Sequence, residues 1–256
     1  MGNDNTDAAV ALLWGPQAQP RRGPRPTLRL DAIARTGIEI ADADGLAAVT
    51  MQRVAERLDV TKMALYRYVP GKAELVALMI DLGLGEPPPD DTAHGGWRPV
   101  LDDWARRLFA RFCQHPWALE AAVGARPIGP NELSWMEHAV AALSGTGLDG
   151  GEMLDVVVTL VGHARNLAAQ MTAAAGTGGT TGPGRGAAPD ASSQTSRIEQ
   201  AMESSLSALI RGREQRFPAL AAALASAVAQ GSQDQALDFG LNRILDGIEA
   251  LLATRR

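Results

Sequence analysis

Lysine occurs only at positions 62 and 72 and tyrosine only at 66 and 68, so two of the rarest side chains of the 256-residue sequence crowd into one short run. An ammonium donates to phosphate oxygens and to guanine O6 and N7, and a phenol offers apolar area with one polar tip. Within Met51 to Pro70, MQRVAERLDVTKMALYRYVP, helical spacing gathers Lys62, Met63, Ala64, Tyr66 and Arg67 onto one exposed face. That face is cationic, carries aromatic contact area and holds no acid, which suits a groove lined by phosphate. Chemistry of other kinds finds fewer residues. No nucleophile–base pair, phosphate-cradling loop or pair of acids stands out, and a helical enzyme working through His163 or Asp155 is the weaker alternative. His94, His115, His138 and His163 are not spaced three or four apart, and Cys113 is the only cysteine, so neither a metal nor a cofactor is expected.

The elements that position this face form a helix–turn–helix. Val54, Ala55, Leu58, Val60, Leu65 and Tyr68 stand where two steeply crossing helices bury apolar groups, and the small Ala55 marks their closest approach. Asp59 occupies the turn position that needs left-handed backbone, which Asp tolerates better than most residues with a Cβ. Tyr68 is open to two readings, a core residue of the motif or a contact outside it. Ahead of the pair, Leu30, Ile33, Ala34, Gly37, Ile38 and Ala41 predict a first helix. Thr50 caps the second, the third runs from Lys62 to Val69, and Lys72 to Leu84 forms the fourth.

Composition places this motif in a larger protein. With 46% hydrophobic and 21% charged residues the chain is globular. Its net charge of -5 hides an asymmetry, because residues 21–80 hold ten Arg and Lys against seven Asp and Glu. Arg21, Arg22, Arg25 and Arg29 crowd the entrance to that basic piece, as a DNA-tracking arm or as a solvated tail. Residues 1–26 lack periodicity and are expected to be a disordered basic leader, followed by a DNA-binding domain over 27–84 and a proline-rich linker to Gly96. Beyond it an all-α domain over 97–256 is expected, with helices at 97–114, 116–124, 130–144, 149–175, 195–212, 218–230 and 233–254. The Gly- and Thr-rich residues 176–195 are expected to form a flexible loop. No uninterrupted apolar run spans a membrane and no signal peptide opens the chain, so a cytoplasmic protein is expected.

From Leu28 to Leu82 the sequence resembles the N-terminal domain of the tetracycline-repressor family of bacterial transcription regulators, most specifically in Leu65-Tyr66, Tyr68-Val69 and Lys72. The resemblance implies a homodimer on a palindromic double-stranded DNA operator, with no membrane partner. It implies phosphate contacts from Tyr66, Tyr68 and Lys72, and further contacts from Thr50 and Gln52. Lys62 at the head of the recognition helix is then placed to reach a guanine edge, with Met63 and Ala64 against a thymine methyl.

The later helices resemble the family's ligand-binding and dimerisation domain in Gly124 to Pro127 (GARP), in Val161 to His163 (VGH) and in the final Phe239 to Ala253. This resemblance implies a small-molecule effector touched by Trp104, Leu108, Arg126, Trp135, His138 and His163. Ala122 stands where the tetracycline repressor has the histidine that ligates the drug's magnesium. Magnesium–tetracycline is therefore not expected, and the aromatic wall points to stacking on a flat polycyclic apolar effector. The expected mechanism is repression relieved by effector through the fourth helix; an activator or regulator without a small effector is the alternative.

Overall fold

The structure, a computed structural model, describes residues 3–15, 28–87, 96–123, 126–177, 204–230 and 236–255. Among the described residues every regular element is helical, in keeping with the all-α expectation. The chain divides into two compact units, Met1–Val158 and Thr159–Arg256.

The first unit begins with α1 (Asn3–Trp14) and α2 (Leu30–Asp44). Helix α1 corrects the expectation of a disordered leader. Ala9 and Leu13, one helical turn apart, are buried and α1 packs against α5 (Lys72–Leu84), a face that does not exist until α5 has folded. The basic run from Arg21 to Arg25 lies outside the described residues. Helix α2 buries Ile33, Ala34, Ile40 and Ala41 on the face that meets α5. A 3-10 turn over Leu46–Ala48 leads to α3 (Met51–Arg57) and α4 (Lys62–Tyr66). Thr50 and Thr61 cap these two helices, accepting the backbone N–H groups of Arg53 at 3.1 Å and Ala64 at 3.2 Å. Each cap stabilises its helix by about 1 kcal/mol.

The recognition helix is shorter than its sequence suggests. It ends at Tyr66 rather than Val69, with Arg67 as its cap, because the chain must turn to bury Val69 and reach Pro70. Helix α5 is buried on several sides, by α2, α1 and α8 (Pro130–Leu143), and so carries Leu75, Ala77, Leu78, Met79 and Ile80 in the core. Helices α6 (Trp97–Gln114) and α7 (Trp117–Ala121) precede α8, and α9 (Gly150–Thr177) leads out of the unit. The proline-rich residues 88–95 lie outside the described residues.

In the second unit α9 buries Leu160, Ala164, Ala168 and Met171 at helical spacing. Residues 204–210 are helical, and α10 (Pro218–Gln230) and α11 (Ala236–Ala253) follow. Helix α11 buries Leu241, Leu245, Ile248 and Leu252, whereas none of residues 218–229 of α10 is buried. The Gly-rich segment expected to be a loop lies, from residue 178 onward, outside the described residues.

Candidate nucleic-acid interface and effector wall

The turn between α3 and α4 explains how the recognition face is held. Asp59 has a φ of 53°, in the left-handed region, and the Asp59 and Val60 N–H groups donate to the carbonyls of Glu56 at 3.2 Å and Ala55 at 3.0 Å. These two bonds close a Schellman motif with Asp59 in the position usually taken by glycine. Val54, Ala55 and Leu65 are fully buried beneath it, so α4 is fixed against α3 through a small, close-packed contact.

That anchoring leaves the opposite side of α4 open. Met63 is 73% exposed and Tyr66 38%, while Lys62 and Arg67 are exposed beside them. The Lys62 ammonium stands 5.6 Å from the centre of the Tyr66 ring, which orders both side chains on one outward face. Ala64 is half-buried. Tyr68 is partly buried and packs against the core, so its ring serves the motif's interior. Thr50 is exposed and committed through its hydroxyl to capping, and the Gln52 amide donates to Glu56 Oε1 at 2.7 Å. Lys72 opens α5 on the same segment, where its ammonium donates to the Leu46 carbonyl at 3.3 Å. An exposed ion pair joins Arg53 to Asp44.

The residues expected to line an effector site divide into two groups. In the first unit Trp104, Leu108, Trp135 and His138 are all buried. Trp104 donates from Nε1 to the Trp135 carbonyl at 2.9 Å, and the two rings lie 5.8 Å apart at an interplanar angle of 56°. Trp135 in turn donates to the Gly85 carbonyl at 2.9 Å. Arg126 holds Glu132 through two bonds of 2.7 and 2.6 Å, and its Nε is buried without a partner. His163 belongs to the second unit, where its ring presses on Gly240 so closely that a Cβ there would overlap it. Its Nε2 is buried without a partner. Ala122 caps the end of α7, and among the described residues no cluster of three His, Cys, Asp or Glu could hold a metal ion.

Several side chains that join these parts carry no motif. Asp81, near the end of α5, accepts the N–H groups of Asn131 at 2.9 Å and Glu132 at 3.2 Å, capping α8 from outside its own chain segment. Burial pushes its carboxyl above the usual carboxylate range, and the two backbone donors pull the other way. Asp42 of α2 receives the Trp117 indole N–H at 2.7 Å and lies 2.8 Å from His115 Nδ1. Since a carboxylate only accepts, that nitrogen carries the proton. A lone acid inside the apolar run LVALMIDLGL was the one visible sign of Asp81.

A capped, Schellman-closed helix pair with a cationic outer face defines the class, a helix–turn–helix DNA-binding protein. Residues 33–79 match the family described as bacterial regulatory proteins, tetR family, and residues 88–252 match the tetracyclin repressor-like C-terminal domain. The HTH-type transcriptional repressor DrrR1 of Streptomyces coeruleorubidus is 35% identical over 260 residues, a match that covers all of this chain and 90% of that protein. The fold is similar to that of the Streptomyces coelicolor TetR family protein ActR in complex with (S)-DNPA. There the TM-score is 0.68 at 23% identity, over 88% of this chain and 99% of that one. ActR in complex with actinorhodin gives a TM-score of 0.65 at 24% identity, over 88% and 97% of the two chains.

The chain belongs to the tetR family of bacterial transcription regulators. Members of that family regulate transcription and are not enzymes, which removes His163 and Asp155 as candidates for catalysis. No helix among the described residues is long and apolar enough to cross a membrane.

Proposed function

We propose that the protein is a cytoplasmic homodimeric repressor, released from a palindromic operator by a small polycyclic, largely apolar effector. The observation that carries this reading is the exposed Lys62–Met63–Tyr66–Arg67 face on a rigidly closed helix pair. In it, Lys62 reads a guanine edge, Met63 and Ala64 meet a thymine methyl, and Tyr66, Lys72, Thr50 and Gln52 contact the backbone. Tyr68 supports them from the core. Two copies of α4 would enter successive major grooves about 34–36 Å apart. Residues 27–84 thus serve as the DNA-reading part and 97–256 as the effector and dimerisation part.

Three exposed features support a dimer. Phe239 and Leu251 of α11 are 65% and 39% exposed, the apolar α10 buries none of residues 218–229, and a Cβ at Gly247 would meet nothing in its own chain. Apolar faces of this kind are usually covered by a partner. DrrR1 is named a repressor, and ActR holds (S)-DNPA and actinorhodin, which favours repression and a polycyclic effector here. Glu132, which bonds Arg126, also bonds Asp81 of α5, and Trp135 bonds the Gly85 carbonyl at the end of α5, so a ligand among Arg126, Trp135 and His138 would act on α5 and swing α4. Effector and DNA must then weaken each other equally, commonly by about 1–3 kcal/mol.

The test is a mobility shift on the intergenic DNA flanking the gene, at fixed salt, with and without a panel of polycyclic aromatic compounds that includes actinorhodin. A specific shift released by one compound is expected. A specific shift that none releases favours the second reading, a regulator without a small effector. That reading draws on the closed state of the wall, with Trp104 packed on Trp135 and Arg126 neutralised by Glu132.

A further inference from the structure

Helix α1 precedes both matched segments, which begin at residues 33 and 88, so the family pattern gives it no role. Its position is specific. Leu13 belongs to the same core cluster as Leu75, Leu78 and Met79 of α5, and Ala9 is buried one turn earlier. At the end of the helix Trp14, although 49% exposed, donates its indole N–H to the Ile128 carbonyl at 3.0 Å. Ile128 lies two residues after Arg126 and just ahead of Gly129, against which the Asp81 carboxylate packs so tightly that a Cβ could not fit. The loop before α8 is therefore gripped from two sides, by Asp81 of α5 and by Trp14 of α1, while α1 itself rests on α5.

We propose that α1 is a brace that makes α5 and the loop before α8 move together, with Trp14 as its positioning residue. The inference rests on the reading that DNA contact at α4 is transmitted through α5. The bonds to Asp81 all come from Asn131 and Glu132 at the head of α8, which leaves the preceding residues 126–128 free to pivot about that point. The bond from Trp14 to Ile128, made by a helix that itself packs on α5, holds those residues at another point and removes the pivot, so displacement of α5 must displace residues 126–132.

Amide hydrogen exchange on the full chain, with and without a duplex that the protein itself has selected from a random pool, tests this without any effector. In the wild type the duplex should protect residues 50–72 and also alter exchange over 126–135. In Trp14→Phe, which keeps an aromatic ring and removes the donor, protection of 50–72 should persist, the melting temperature should stay near wild type, and the remote response should fall by half or more. Leu13→Ala, which loosens α1 from α5, should lower the same response. A full remote response in Trp14→Phe, or no response over 126–135 in the wild type while 50–72 is protected, overturns the brace. Absence of protection over 50–72 in the wild type instead overturns the DNA-contact reading, and the brace with it.

Discussion

Asn131 donates twice to Asp81: its backbone N–H to the Asp81 carboxylate at 2.9 Å, and its side-chain amide to the Asp81 carbonyl at 3.0 Å. The pair caps the end of one helix with the start of another. The N–H groups that open a helix lack intrahelical acceptors, and the Asp81 side chain supplies one, while the Asn131 side chain adds a donor to a carbonyl in the last turn of α5. Here α5 and α8 share a polar contact rather than an apolar slide.

Replacing that carboxylate separates its two contributions. Asp81→Ala leaves the N–H groups of Asn131 and Glu132 without their acceptor and should cost about 1–3 kcal/mol in urea unfolding. Asp81→Asn keeps an oxygen in place and should cost less. Because burial raises the folded-state value, this group's contribution to stability is full below the ordinary carboxylate value of 3.8 and is lost as pH rises through the raised one. The asparagine variant should lack that dependence; equal pH profiles for the two proteins would contradict it.

Lys62→Ala should weaken operator binding and remove discrimination at one base pair, by about 1–3 kcal/mol for a bidentate contact. Binding to a set of single-base operator variants measures this. Weaker binding with unaltered base preference would reassign Lys62 to the phosphate backbone.

Asp59 carries left-handed backbone with φ 53° on an exposed turn. Asp59→Gly should relieve that conformation and raise stability by about 1 kcal/mol, with operator preference unchanged. A lower melting temperature would mean that the Asp59 side chain supports the turn.

Alanine in place of a mid-helix glycine ordinarily stabilises by about 0.5–1 kcal/mol. Gly240→Ala should reverse that sign, since the new methyl would overlap the His163 ring and cost about 1–3 kcal/mol. Adding His163→Ala should recover much of the loss in a double-mutant cycle; additive losses would show that the two residues do not meet.

Burial pushes the Cys113 thiol up to about 11. Iodoacetamide at pH 8 should therefore modify the folded protein roughly tenfold or more slowly than the unfolded chain, because only thiolate reacts. Equal rates would place Cys113 at an accessible, ordinary site.

Much of this architecture is local and was legible in the residues. The apolar spacing of α2, the cap at Thr50, the left-handed turn at Asp59 and the burial of Val54, Ala55 and Leu65 each depend on neighbours within a few positions. A helix carries its pattern at a period of 3.6 residues, and a short window contains that pattern whole. The exposed side of α4 follows by subtraction, since whatever the motif does not bury must face outward.

The connections between helices had no such signature. Helix α1 reads as a polar leader until α5 supplies the face that buries Ala9 and Leu13. Trp104 and Trp135, separately suited to stack on a ligand, turn out to be joined to each other by a hydrogen bond and a tilted ring contact. Asp42 finds Trp117, and Asp81 finds Asn131. A hydrogen bond depends on where two groups end up in space. Between residues fifty or more apart in the chain, that distance is set by how whole helices pack, and no local pattern of residue types encodes it.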